Sequence, residues 1–277
     1  MQEKYCYFNG AIVKVEEAKV SAFDIGLLRG FGVYEAMAGF NGNIFRFSDH
    51  WNRFVDSAHT LSLNIPITEE KAEKVIKELL VKNGHDQDRA NIKFILTGGT
   101  ATSSLEFNFE TPTFYIFTEE CAKIPQEIYD NGGKLITYNY KRELPKIKTI
   151  NYITAVNLQN WRKEEKAIEV LYTYDGEIYE CAASNIFLVK DGVLITPGED
   201  VLLGITRKVT LEVAREAGLE IEERRVLESE LQTADEVFIT SSFKDIVPIV
   251  EVDDFKIGDG KIGSITKDLM ERFVKLT

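Results

Sequence analysis

The sequence predicts a two-domain α+β protein. Strand and helix patterns are mixed without the strict alternation of a doubly wound sheet. Hairpin signals gather at the start, and a break around Pro125 is followed by a fresh run of strands and helices. The expected boundaries are 1–119 for an N-terminal α/β domain, 120–127 for a linker and 128–277 for a C-terminal domain.

Tyr5 to Phe8 and Ala11 to Val15 flank Asn9-Gly10, a hairpin turn pair. Val33 to Phe40 and Asn43 to Phe47 repeat the design around Asn41-Gly42. Asp49 is the expected N-cap of a helix whose Trp51, Phe54, Val55, Ala58 and Leu61 share one apolar face. Thr68 caps a second helix over Glu69 to Val81. Strands at Asn91 to Thr97 and Thr113 to Thr118 follow, the latter rich in aromatic and β-branched residues.

Beyond the linker, a strand near Lys134 to Asn139 leads to Lys148, and a helix is expected from Ile153 to about Glu164. Strands at Glu169 to Thr173, Ile186 to Val189 and Val193 to Ile195 precede a helix from Ile205 to Ala217, with Gly218 placed to end it. The charge-rich stretch from Glu220 to Arg225 is most simply a solvated strand and turn. Glu236 to Thr240, Ile246 to Val250 and a helix from Ile265 to Val274 complete the chain.

Apolar content of 44% and charged content of 28% suit an ordinary globular protein. A net charge of -12, with no dense Lys/Arg cluster, argues against a nucleic-acid surface. Cys6, Cys121 and Cys181 are too scattered for a disulfide framework or zinc site, and His50, His59 and His85 do not make up the deficit, so no metal is expected. Met1 to Phe8 lacks the apolar core of a signal peptide, and no apolar run approaches the ~20 residues of a membrane span. The expected setting is the cytoplasm.

Three motifs carry chemistry. Lys148 opens Lys148-Thr149-Ile150-Asn151-Tyr152. Glu180 stands in Gly176-Glu177-Ile178-Tyr179-Glu180-Cys181-Ala182-Ala183-Ser184-Asn185-Ile186-Phe187. Leu203-Gly204-Ile205-Thr206-Arg207 sits at a helix start. An amine, a carboxylate and an anion-binding helix terminus are what a pyridoxal phosphate (PLP) enzyme must supply. Gly26 to Gly32 is glycine-rich but fits neither a dinucleotide fingerprint nor a Walker loop.

With these motifs in this order the chain resembles the fold-type IV PLP enzymes. That group contains D-amino-acid aminotransferases, branched-chain aminotransferases and aminodeoxychorismate lyase. The likeness runs from Phe8-Asn9-Gly10 to Asp235-Glu236-Val237-Phe238 and Pro248. It implies a two-domain fold like that of the D-amino-acid aminotransferases, and it makes Lys148, in the C-terminal domain, the catalytic Schiff-base lysine. Glu180 becomes the partner of the pyridine nitrogen. Arg53, Gly204, Ile205, Thr206, Ser241 and Ser242 form the phosphate cradle; Tyr152 bonds the ring oxygen and Leu202 packs on the ring. Glu35 matches a residue near the cofactor lysine.

Substrate recognition is where the resemblance thins. Thr97-Gly98-Gly99-Thr100 lacks the arginine that D-amino-acid enzymes carry there, while Arg29 stands where branched-chain enzymes place a tyrosine. The expectation is that Arg29, Tyr34 and Gly98 contact substrate, Arg29 gripping its carboxylate; the alternative is an Arg29 turned outward at a subunit contact. Val33-Tyr34-Glu35 and Ala36 lean toward the D-amino-acid group, and Glu180-Cys181-Ala182-Ala183 toward the lyase. The expected activity is transfer of an amino group from an amino acid, D first and branched-chain L second, to a 2-oxo acid such as 2-oxoglutarate. The lyase and a non-catalytic PLP-binding protein are the alternatives. The resemblance also implies a homodimer whose pocket lies at the domain junction and is completed by the partner.

Overall fold

The computed structural model describes residues 4–121 and 124–277. By contact the chain forms two compact units, Met1–Ala122 with Ile147–Tyr152, and Lys123–Lys146 with Ile153–Thr277. Part of the expected linker, residues 122 and 123, lies outside the described residues, as do residues 1–3.

The first unit contains β1 (Tyr5–Phe8), β2 (Ala11–Lys14), α1 (Ile25–Arg29), β3 (Gly32–Phe40), β4 (Asn43–Ile44), α2 (Phe47–Thr60), α3 (Glu69–Asn83), β5 (Arg89–Thr97) and β6 (Thr113–Glu120). Its strands form one sheet in the order β2-β1-β6-β5-β3-β4. Phe54 of α2 meets Phe94 and Phe114 of the sheet with ring centroids 5.4 and 6.0 Å apart, and all three are fully buried. Each such side chain contributes about 1.5–3 kcal/mol by leaving water.

Around α2 the boundaries differ from the sequence reading. The second hairpin is cut short because Arg46 turns left-handed (φ 52) and starts α2 at Phe47. Asp49 therefore sits inside the first turn of α2 and not at its cap. The short helix α1 has no strong periodic signal and was not foreseen. It is held by Asp24, a fully buried carboxylate that accepts from Gly26 N (2.7 Å), Thr97 Oγ1 (2.9 Å) and Thr113 Oγ1 (2.6 Å). A Cβ on Gly26 would lie 2.4 Å from the Thr97 methyl, so this close approach requires glycine.

Residues 147–152, which the sequence reading assigns to the C-terminal domain, pack with the first unit. Ile147 is buried in its core. The Lys148 carbonyl accepts from Tyr34 N (2.9 Å), and Ile150 N donates to the Gly32 carbonyl (3.1 Å). Six residues pairing with a distant strand leave no trace in local periodicity.

The second unit comprises α4 (Gln126–Asn131), β7 (Gly133–Asn139), α5 (Ile153–Asn157), α6 (Gln159–Glu164), β8 (Glu169–Tyr174), β9 (Glu177–Cys181), β10 (Asn185–Lys190), β11 (Val193–Pro197), α7 (Ile205–Glu216), β12 (Ile221–Arg224), β13 (Val226–Leu227), α8 (Glu228–Leu231), β14 (Glu236–Ser241), β15 (Asp245–Val252), β16 (Phe255–Lys256) and α9 (Ser264–Val274). They build a sheet of order β12-β11-β10-β14-β15-β7-β8-β9-β13, with β16 paired to β15. The helix expected over 153–164 is two short pieces, α5 and α6. Buried Glu236 accepts from Ile265 N (3.1 Å) and Thr266 N (2.7 Å), which satisfies the open start of α9. No helix among the described residues is long and apolar enough to cross a membrane, and they contain no metal-binding cluster.

Candidate active site

Lys148 is half-buried, and its main chain is anchored at both ends of the residue. Its N donates to Ser57 Oγ (3.3 Å) while its carbonyl accepts from Tyr34 N. The ammonium lies 4.4 Å from the centroid of the Tyr34 ring, an attraction between a cation and the negative face of the aromatic. The Tyr34 and Tyr152 hydroxyls are 2.5 Å apart, and their rings meet edge to face. A primary amine thus stands beside two phenols on a fixed backbone.

Behind them is a buried charge cluster. Glu35 on β3 accepts from Arg53 Nε (3.0 Å) and Nη2 (2.5 Å), both on α2, and its Oε1 is 2.9 Å from His50 Nδ1. Burial alone would raise the Glu35 carboxyl, but the Arg53 guanidinium and the His50 ring reverse that and hold it far below the usual carboxylate range. Burial pushes the His50 imidazole down, against the pull of Glu35. Arg53 is pressed down by burial and raised further by Glu35, so it stays charged. His50 and Arg53, three residues apart, share a face of α2. That spacing was readable in the sequence; their joint partner across the sheet was not.

In the second unit Glu180 on β9 is almost fully buried. Its Oε1 accepts from Arg142 Nη1 (2.8 Å) and its Oε2 from Leu202 N (3.0 Å). Arg142 is a site residue the sequence reading missed. Among the basic residues between the linker and Lys148 nothing marked it out. The Leu202 carbonyl accepts from Asn185 Nδ2 (2.7 Å).

Helix α7 begins at Ile205 and Thr206 without a side-chain cap, because Gly204 precedes it. A Cβ on Gly204 would lie 2.1 Å from Asn185 Oδ1, so only glycine fits. Ser241, at the end of β14, has a buried Oγ with no hydrogen-bond partner among the described residues. An uncapped helix start and an unsatisfied buried hydroxyl are what an anionic phosphate would engage. Each unit has donors of a kind that suits the cofactor: in the second, Gly204, Ile205, Thr206 and Ser241 could receive a phosphate and Glu180 a ring nitrogen, and in the first, Lys148 offers a primary amine.

Arg29 and Gly98 lie apart from these groups in bonding terms. Arg29 is exposed, and its Nε and Nη1 donate to the Ser104 (3.1 Å) and Leu28 (2.8 Å) carbonyls. Gly98 packs against the Phe107 ring, which a Cβ would approach to 2.6 Å.

Comparison with known proteins agrees with this chemistry. Residues 32–252 match the model of the class IV amino-transferases. An archaeal protein named as a putative branched-chain-amino-acid aminotransferase, from Methanocaldococcus jannaschii, is 36% identical over 96% of this chain and 94% of its own length. The D-alanine aminotransferase of Listeria monocytogenes is 32% identical over the same shares. The crystal structure of Escherichia coli branched-chain amino acid aminotransferase superposes with a TM-score of 0.91. It is 26% identical, and the match covers 99% of this chain and 94% of that one. A further branched-chain amino acid aminotransferase, complexed in its crystal with N-(5′-phosphopyridoxyl)-L-glutamate, superposes with a TM-score of 0.89 at 28% identity over the same shares.

Proposed function

The chain belongs to the class IV aminotransferases, PLP-dependent enzymes, and we propose that it moves amino groups from D-amino acids to 2-oxo acids such as 2-oxoglutarate. The observation that carries the assignment of roles is the setting of Lys148, an amine on an anchored backbone beside Tyr34 and Tyr152. Bound there, the cofactor supplies an electron sink that lets the substrate's α-carbon give up its proton.

The chain's own groups do the rest. Lys148 is the covalent anchor and then the base that takes the α-proton and returns one to the cofactor's C4′ carbon. Glu180, oriented by Arg142 and Leu202 N, pairs with the ring nitrogen. Gly204, Ile205, Thr206, Ser241, Ser242 and Arg53 bind phosphate; Tyr152 bonds the ring oxygen and Leu202 packs on the ring. Tyr34 and Gly98 line the substrate side. Arg29 is the proposed grip on the substrate carboxylate, for which it must exchange the Ser104 carbonyl for substrate; Arg29→Ala with an unchanged KM removes that role.

The Val33-Tyr34-Glu35 triplet and the similarity to D-alanine aminotransferase support D-amino acids as donors. The archaeal relative supports branched-chain L-amino acids as the second reading. Exposed Phe23, Leu27, Leu105 and Phe109 support assembly as a homodimer, checked by sedimentation. Borohydride reduction of the loaded enzyme, followed by peptide mass mapping, tests the central role. The cofactor should be fixed to Lys148; label on Lys141 or Lys146, or none, overturns it.

A further inference from the structure

Among the buried ionisable groups of the second unit, Glu169 has no part in the chemistry above. It is the first residue of β8 and is only 5% exposed. Its Oε1 accepts from Ser184 Oγ (3.1 Å) and forms an ion pair with Lys244 Nζ. A carboxylate taken out of water is costly unless paired, and such pairs contribute little net stability compared with apolar packing. What this one does supply is geometry.

Both partners belong to backbone that carries the phosphate donors. Ser184 precedes Asn185, whose amide holds the Leu202 carbonyl and whose Oδ1 abuts Gly204, the residue that opens α7. Lys244 closes the turn after β14; its N donates to the Ser241 carbonyl (3.2 Å), and its own carbonyl accepts from Tyr129 Oη (3.0 Å). One carboxylate oxygen therefore ties the Gly204 wall to the Ser241 turn, where the unsatisfied hydroxyl sits.

We infer that Glu169 and Lys244 are positioning residues for the phosphate of the cofactor: their ion pair sets the separation between the amides of α7 and the Ser241 hydroxyl. This rests on the cofactor site proposed above. Removing the pair leaves every phosphate donor in the chain but lets the two walls move apart.

The test compares two aldehydes on the apoprotein, PLP and pyridoxal, which lacks the phosphate, each titrated and followed by its visible band. Lys244→Met should weaken PLP about tenfold, the scale of one misplaced charge-assisted contact, and leave pyridoxal unchanged. Lys244→Arg, which keeps the pair, should regain most of the affinity. Glu169→Gln should resemble Lys244→Met. Should either single variant fail to fold, the double variant Lys244→Met with Glu169→Gln leaves no unpaired buried charge and carries the same comparison.

Variants that bind PLP like the wild type, or that lose PLP and pyridoxal affinity in parallel, overturn the inference. Wild-type protein that takes up neither aldehyde overturns instead the cofactor site on which it rests.

Discussion

In the first unit Glu35, His50 and Arg53 bond to one another, whereas in the second the buried Ser241 hydroxyl and the start of α7 have no capping partner among the described residues. Both regions bury polar groups, yet only one satisfies them internally. A cluster of paired charges fixes a scaffold and orients Arg53; an open one holds donors ready for an anion. The contrast teaches that polar burial alone does not mark a ligand site, and that an unmet hydroxyl together with an uncapped helix start is the stronger pointer. Tyr34 precedes Glu35 of that cluster and its N donates to the Lys148 carbonyl, so the Lys148 backbone is tied to the cluster's own strand.

The largest effect is expected at that amine. Lys148→Ala should lower amino transfer by about a thousandfold or more while thermal stability stays close to wild type, measured by a coupled assay and a melting curve. Loss of stability in step with activity would make Lys148 part of the scaffold after all.

Opening the closed cluster comes next. Glu35→Leu leaves Arg53 and His50 buried without their counter-charge and should cost roughly 3 kcal/mol in urea unfolding. The same cluster predicts a pH dependence. Glu35 and His50 are both held below their ordinary values, so the unfolded chain binds more protons than the folded one in acid. Its stabilisation is complete above the ordinary imidazole value of about 6.5 and falls as the pH drops below it. It falls again below the ordinary glutamate value of about 4.3. Unfolding free energies flat between neutral pH and pH 4 would contradict this.

Arg142→Met sharpens the comparison from the open side. It frees one oxygen of Glu180 and should lower amino transfer about tenfold with little change in folding. Tyr34→Phe, which removes one hydroxyl from the phenol pair but keeps the ring under the Lys148 ammonium, should cost the least, about fivefold. A larger loss than in Arg142→Met would place the Tyr34 hydroxyl at the chemistry itself.

Much of this was legible in the sequence because it is local. Asn9-Gly10 and Asn41-Gly42 announce hairpins, and Thr68 caps α3 by accepting from Lys71 N, as its position implies. Gly204 before Ile205 announces the uncapped helix start. What stayed hidden depends on residues far apart in the chain. The pairing of residues 147–152 with β3, the grip of Arg142 on Glu180 and the capture of Arg53 by Glu35 all join segments whose spacing carries no period. The short helix α1 escaped for another reason: five residues show less than two turns of periodicity, and its stability comes from Asp24 and two distant threonines.

The most direct measurement is the visible spectrum of the purified protein loaded with PLP, followed as D-alanine, D-glutamate, L-leucine and L-glutamate are added separately. A band of lysine-bound cofactor that the D-amino acids convert to the amine form, and the L-amino acids do not, is the predicted result. Conversion by L-leucine alone would move the substrate to the branched-chain L series. A band that no amino acid discharges would contradict amino transfer, and no band at all after loading would contradict the assignment of Lys148.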